Sequence, residues 1–301
     1  RAVLIDEARK RDWKQLPSML DYIAGKDSDE VFATSLIRMV TTSGDPRIAP
    51  VLIKATRDPS PLVRSAAADA LQHVPTREAV QALVQAAGDD YRLVRVRAAA
   101  SLARYPNLPL NEADRRSVEA ATKEYLTSLT ARPDQWSSHY NLGNYYLNRG
   151  DLKQAISSYD TALKLEPHAV LAMVNESIAY ARMGENKRAD AYLKKALKVA
   201  PDNPAANFNM GLLKAEQNDM KGAEQYLKKA LKADPRMAQA AYNLCVITSK
   251  DRINEAVNWC RTAAELRPQD PRYAYTLAFY LNQKGDRDEA VRTLKVILEK
   301  Y

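Results

Sequence analysis

The chain has 301 residues, of which 46% are hydrophobic and 27% are charged, and its formal net charge is +8. This length can bury a sizeable core, and no run of 18 uninterrupted apolar residues predicts a membrane span. The charge is spread as +3 over residues 1–133 and +5 over 134–301. Neither half is basic enough to predict nucleic-acid binding. Because the sequence opens at Arg1 rather than Met, it is uninformative about targeting.

A shorter of two repeat periods runs through the first half of the chain. Leu62-Val63-Arg64, followed by an alanine-rich segment, recurs 31 residues later as Leu93-Val94-Arg95. A weaker apolar echo begins another 31 residues earlier, at Val31. The pattern resembles short HEAT-type repeats, in which an arginine ties neighbouring turns together. The resemblance therefore implies a structural role for Arg64 and Arg95 rather than ligand binding.

The ends of this first array are marked by different signals. Residues 2–26 are predicted to form an incomplete first hairpin, with Trp13 packing under the array. At the other end, Pro106, Pro109 and Asn111 break the period and predict the start of a long helix over about 112–130. We assign residues 1–111 to a HEAT-like array and 112–135 to a linker helix.

A period of 34 residues organises the second half. Three columns fall in one register, an asparagine, an alanine and a proline column: Asn141, Asn175, Asn209, Asn243; Ala155, Ala189, Ala223, Ala256, Ala290; and Pro167, Pro201, Pro235, Pro268. A fixed period of this length is typical of stacked helical hairpins, each of which buries its apolar face against the next. We predict five copies, over 136–169, 170–203, 204–237, 238–270 and 271–301.

The copies resemble the tetratricopeptide repeat. The first copy fills the signature positions in order, with His139, Leu142, Gly143, Tyr146, Ala155, Tyr159, Ala162 and Pro167. The second copy departs from the signature, because Glu176 and Ser177 stand where Leu-Gly is expected. The resemblance implies close antiparallel helices, an extended concave surface and binding of other proteins. With the first array, it predicts an all-α chain folded as a right-handed α-solenoid.

Candidate binding residues occupy the positions expected to face the concave surface. The predicted groove is lined by Tyr140, Asn141, Asn144, Asn175, Arg182, Phe208, Asn209, Tyr242, Asn243, Arg272, Tyr275 and Phe279. An asparagine amide offers an acceptor and two donors to the backbone of an extended peptide, and aromatic rings add apolar contact area. The alternative is that these asparagines bond locally within the repeats. Because few lysines or arginines lie in the groove, we expect a partly apolar segment rather than an acidic C-terminal tail.

Catalytic and metal-binding motifs are missing from the sequence. It has no Gly-rich phosphate loop, no nucleophile elbow and no His-Glu-x-x-His helix. His73, His139 and His168 are too scattered to predict a metal site. Basic and aromatic residues are not interleaved as in proteins that stack bases, so no nucleic-acid partner is expected. We predict a protein that is not an enzyme and has no metal site.

Cys245 and Cys260 are nearly equidistant from the turn around Asp251. In an antiparallel hairpin they should face one another, so a disulfide is conceivable. Free cysteine also behaves as a small buried hydrophobe, and we favour two buried, reduced thiols.

The whole arrangement also resembles the C-terminal half of bacterial multihaem c-type cytochromes that carry tetratricopeptide repeats. The resemblance rests on HEAT-type repeats followed by a linker with Arg115-Arg116 and Glu124-Tyr125, and then by the segment 140–146. It implies a docking module for an electron-transfer system, a multihaem cytochrome as possible partner, and a periplasmic or extracellular location, with the cytoplasm as the alternative. No Cys-x-x-Cys-His motif is present, so covalent haem is expected only in an upstream part outside this chain.

Overall fold

The computed structural model describes residues 2–25, 29–268 and 270–300. Within these ranges the regular secondary structure consists of eighteen α-helices and two short 3-10 turns, which confirms the all-α prediction. Backbone contacts divide the chain into two compact units, Arg1–Ser158 and Tyr159–Tyr301. The division falls inside helix α10 (Leu152–Leu165), and the two units are described separately below.

The first unit is built from two layers of helices. Its helices are α1 (Ala2–Lys10), α2 (Leu16–Ala24), α3 (Glu30–Val40), α4 (Ile48–Ala55), α5 (Pro61–Ala70), α6 (Arg77–Ala86), α7 (Arg92–Leu102), α8 (Glu112–Thr130) and α9 (Trp136–Arg149). In one layer α1, α3, α5 and α7 each pack against the next, and in the other α2, α4, α6 and α8 do the same. This alternation is the stacking expected of helical-hairpin repeats.

Side-chain caps define where several of these helices begin. Asp29, Ser60, Thr76 and Asn111 each accept a hydrogen bond from a backbone N–H in the first turn that follows. Such caps satisfy donors that have no partner inside the helix. The linker helix predicted over about 112–130 is confirmed as α8. The N-terminal segment contains two helices, α1 and α2, and half-buried Trp13 in their connection packs against the core as predicted. Lys26, the last residue of that predicted hairpin, lies outside the described residues.

An arginine ladder joins successive turns of the first unit. The Arg64 guanidinium donates to both carboxylate oxygens of Asp89, at 2.7 and 3.0 Å, and to the backbone carbonyls of Asp58 and Pro59 at 2.8 and 2.9 Å. Arg95, one repeat later, donates in the same way to Glu124 and to the carbonyls of its own turn. The structural role predicted for the two arginines is confirmed.

The second unit contains the end of α10 and four helix pairs. These are α11 (Val170–Arg182) with α12 (Asn186–Val199), α13 (Pro204–Glu216) with α14 (Met220–Ala233), α15 (Ala238–Thr248) with α16 (Ile253–Leu266), and α17 (Pro271–Lys284) with α18 (Arg287–Lys300). Close approach within a pair depends on small residues. A Cβ added to Gly211 would lie only 2.8 Å from Cγ of Leu227, so a larger residue would push α13 and α14 apart.

The prediction of two reduced thiols was wrong. Cys245 on α15 and Cys260 on α16 form a disulfide, with their Cα atoms 5.2 Å apart. The mirrored placement about the hairpin turn brings the two Cβ atoms within the range that a disulfide spans. Their predicted burial is confirmed, because neither residue is exposed to solvent, and they pack with Val257, Leu277 and Leu281.

Candidate partner-binding groove

The first helix of each pair in the second unit carries the residues predicted to bind a partner. Tyr275 and Phe279 on α17 are the most exposed of the aromatic residues among them, at 62% and 49%. Tyr242 on α15 is half-buried, and its ring lies 5.3 Å from that of Tyr273, centroid to centroid. Phe208 on α13 is also half-buried and packs against the core around Leu227 and Leu244. Phe208 and Tyr242 therefore have a structural role, and Tyr275 and Phe279 are free to contact a partner.

The asparagine column forms hydrogen bonds within its own helices. The amide nitrogen of Asn209 donates to the carbonyl of Ala205 at 2.8 Å, and that of Asn243 donates to the carbonyl of Gln239 at 2.8 Å. These bonds support the local interpretation of the column. Each uses one N–H of an amide that has two, together with an acceptor oxygen. Because both side chains are partly exposed, local bonding leaves polar atoms available to a ligand.

A second column, which the sequence analysis overlooked, runs three residues beyond the asparagines. It consists of Ile178, Leu212, Val246 and Phe279, and only the last was predicted. Val246 and Phe279 are 43% and 49% exposed, and Ile178 and Leu212 are half-buried. The signal was present in the sequence, because the first three recur at the same 34-residue interval as the asparagines.

A cavity of about 230 Å³ opens between α11, α12 and α13 and brings the two columns together. Ile178 and Leu212 supply apolar walls, and Asn209 supplies an amide. Arg182 and Glu216 add one charge of each sign. Of the predicted groove residues, the structure therefore places Arg182 and Asn209 on one concavity. Its mixed, nearly neutral lining suits an apolar side chain flanked by backbone groups.

The charged groups of the groove are weak attractants for an acidic ligand. The Arg272 guanidinium donates to both oxygens of Asp270, at 2.6 and 2.9 Å. Hydrogen bonds from Arg272 hold the pKa of the Asp270 carboxyl below its usual range. The carboxylate neutralises the one arginine predicted at this end of the groove.

The remaining predicted residues lie on α9 of the first unit. Tyr140 is half-buried, with its ring 5.9 Å from that of Trp136, centroid to centroid. Asn141 is exposed and Asn144 is half-buried. Asn175, the matching asparagine of the second unit, is half-buried on α11.

The departure from the repeat signature at Glu176 creates a buried acidic group. Glu176 is 0% exposed and lies near Asp160 of α10 and Tyr192 of α12. The Tyr192 hydroxyl donates to Asp160 at 3.4 Å. Burial raises the pKa of the Glu176 carboxyl to about 8, and the nearby Asp160 charge raises it further. Glu176 is therefore mostly protonated at neutral pH, and a neutral acid replaces the leucine of the signature.

The comparisons with known proteins agree with the two repeat types. A family model of HEAT repeats matches residues 16–103, and two models of tetratricopeptide repeats match residues 136–169 and 174–238. The chain thus carries HEAT repeats followed by tetratricopeptide repeats. No curated protein matches it.

Among solved structures, three similar chains illustrate the fold. The PilF protein of Pseudomonas aeruginosa is 23% identical with a TM-score of 0.52, and the match covers 56% of this chain and 78% of PilF. MamA of Desulfovibrio magneticus RS-1 is 22% identical with a TM-score of 0.48, covering 55% and 93%. YrrB, described as a TPR protein with an unusual peptide-binding site, is 20% identical with a TM-score of 0.45, covering 57% and 90%. The resemblance to multihaem cytochromes finds no support in these matches.

Two further searches of the structure concern metals and membranes. In the described ranges, His, Cys, Asp and Glu side chains do not gather into any group of three or more that could hold a metal ion. Over the same residues, every helix is too short or too polar to cross a bilayer.

Proposed function

We propose that the groove formed by α11, α13, α15 and α17 binds an extended, partly apolar segment of a partner protein, and that the chain is a non-enzymatic scaffold. The observation that carries this proposal is the column of Ile178, Leu212, Val246 and Phe279. Packing alone gives no reason to repeat an apolar residue at a position where Val246 and Phe279 stay 43% and 49% exposed.

The spacing of the column constrains the partner. Helices that pack side by side lie about 8–10 Å apart. An extended chain advances about 3.1–3.6 Å per residue, so about three residues span the step from one repeat to the next. The bound segment should therefore present an apolar side chain at roughly every third position. Between these side chains, its backbone groups would meet the amides of Asn209 and Asn243.

A selection experiment tests the groove directly. Random 12-residue peptides displayed on phage are selected against the full chain, and the recovered peptides are measured on the variants Val246→Glu and Val199→Glu. Val199 on α12 is a matched control, because its 41% exposure is close to the 43% of Val246. We expect peptides with apolar residues about three apart, and at least tenfold weaker binding to Val246→Glu alone. Equal binding to both variants would place the site elsewhere.

A second candidate function is an accessory docking role beside a multihaem cytochrome. The Cys245–Cys260 disulfide favours the compartment that this role requires, because disulfides persist in the periplasm and outside the cell. We propose that location for the chain, with no covalent haem bound to it. Purification from the native source followed by haem staining of the co-purifying proteins tests the cytochrome partner. Absence of any haem-bearing partner would leave the scaffold role alone.

A further inference from the structure

The first unit contains a larger concavity, of about 880 Å³, which has no part in the groove described above. It is enclosed by the end of α7, the connection 103–111, one face of α8, and the last turns of α9. Pockets that bind ligands commonly have volumes of about 300–1,000 Å³. The size of this concavity therefore calls for an occupant.

The layer arrangement indicates the shape of that occupant. Along this layer α1, α3, α5 and α7 pack in succession, and α5 covers one side of α7. On the other side, Leu102 and Ala103 at the end of α7 line the concavity, and Tyr145 and Arg149 of α9 line it too. The space thus lies at the end of a helical layer, where a further packed helix would continue the stack.

The floor of the concavity is a helical face of matching length. Val118, Thr122, Leu126 and Thr130 recur every four residues on α8 and all line it. Residues four apart share one face of a helix, and twelve residues of helix span about 18 Å. A partner helix of about three turns would run the full length of this face. Leu108 and Leu110 of the connection add apolar surface at its side.

The rim of the concavity is basic. Arg115 and Lys123 of α8 and Arg149 of α9 line it, against the single acid Glu119. All three basic residues are exposed, and the Arg149 guanidinium lies 5.6 Å from the centre of the Tyr145 ring. A net positive rim around an apolar floor complements a helix with one apolar face and acidic flanks.

We propose that this concavity, bounded by α7, α8 and α9, docks an amphipathic, acidic helix of a partner protein. The mode differs from that of the second unit, because a helix lays its apolar face into a groove and an extended segment pairs through its backbone. The helix would place apolar side chains at positions i, i+3, i+4 and i+7 on the floor, with Glu or Asp facing Arg115, Lys123 and Arg149. The two sites would let one scaffold hold two different segments.

The test uses the full chain carrying Val246→Glu, so that the groove of the second unit does not contribute. A displayed library of 14-residue alanine-based helices, randomised among Leu, Ala, Glu, Lys and Gln, is selected on this protein. We expect enriched sequences with a leucine stripe at helical spacing and glutamates beside it. Their affinity should fall at least tenfold on Lys123→Glu and on Thr122→Trp, which fills the floor. Arg116→Glu is the matched control, because Arg116 is an exposed α8 cation that does not line the concavity.

Several outcomes would overturn the proposal. They are enrichment of lysine-rich helices, no enrichment above an unrelated protein, or equal binding to Lys123→Glu and Arg116→Glu. Oleate is measured in parallel as a small anionic amphiphile. Oleate binding that Thr122→Trp abolishes, without enrichment of helices, would assign the concavity to a lipid-like ligand instead. Because Lys123 is exposed, its replacement leaves folding intact even if Thr122→Trp does not, and circular dichroism monitors both.

Discussion

Arg64 and Asp89 form a two-point ion pair in which both side chains are largely buried, at 13% and 12% exposure. Burial alone would raise the pKa of Asp89, but hydrogen bonds from Arg64 and from the Tyr91 backbone outweigh it and hold that pKa below its usual range. The pair is therefore charged throughout the neutral range. It connects the turn before α5 to the turn before α7, which makes it the link between two successive repeats.

Removing one partner of this ion pair should destabilise the first unit. We expect Asp89→Ala to lower the free energy of unfolding by about 3 kcal/mol, because it leaves the Arg64 charge buried without its counter-ion. Arg97→Ala is the control, since its ion pair with Asp69 is exposed and should contribute less than about 1 kcal/mol. Urea unfolding followed by circular dichroism measures both. Equal effects would contradict a special role for the buried pair.

Acidification should weaken the same contact. The pKa of Asp89 is depressed in the folded state, so its contribution is present above the unfolded pKa and is lost as the pH falls towards the folded value. We expect the stability difference between the wild-type protein and Asp89→Asn to shrink below about pH 4. A difference that stays constant down to pH 2 would show that the charge on Asp89 does not carry the effect.

Glu176 should give the opposite pH dependence. Its pKa is raised to about 8 in the folded state, so folding is unaffected below its unfolded value, and stability is lost as the pH rises between about 4.5 and 8. The slope is at most about 1.4 kcal/mol per pH unit. We expect Glu176→Gln to remove this slope and to be more stable than the wild-type protein at pH 8. Thermal melts from pH 5 to pH 9 measure it, and parallel curves for the two proteins would exclude a buried neutral acid.

The disulfide should contribute to the stability of the second unit. Cys245 and Cys260 close a loop with a sequence separation of 15, for which chain entropy predicts about 3 kcal/mol. We expect a reducing agent to lower the melting temperature of the wild-type protein and to leave the double variant Cys245→Ala, Cys260→Ala unchanged. Thiol titration under denaturing, non-reducing conditions is the complementary measurement. Recovery of two thiols per chain would restore the prediction made from the sequence.

The repeat periods predicted the fold because they record packing that every copy must satisfy. Gly211 is small where α13 meets Leu227 of α14, and Asn111 caps α8 at the predicted position. The groove was harder to predict. Ile178, Leu212 and Val246 have helical spacing and are apolar, which is equally typical of core residues. Their partial exposure depends on how neighbouring helices pack. Whether Cys245 and Cys260 join depends on a Cα separation of 5.2 Å, which spacing alone does not fix.

The asparagine column offers the sharpest separation of binding from folding. The Asn209 amide bonds the Ala205 carbonyl within α13, and the same side chain lines the cavity with Ile178 and Leu212. Loss of the local bond should cost about 1 kcal/mol or less, because the Ala205 carbonyl keeps its place in the helix. We therefore expect Asn209→Ala to fold nearly as the wild-type protein does and to bind the selected peptides at least fivefold more weakly.

Phe208→Ser is a poorer probe of the same groove. Since Phe208 packs against the core around Leu227 and Leu244, the substitution should lower stability as well as binding. The informative comparison is thus peptide affinity against melting temperature for Asn209→Ala, with Asn243→Ala as its counterpart one repeat later. If Asn209→Ala lowers the melting temperature by many degrees and leaves peptide affinity unchanged, the column is structural. The apolar positions Leu212 and Val246 would then have to provide the binding on their own.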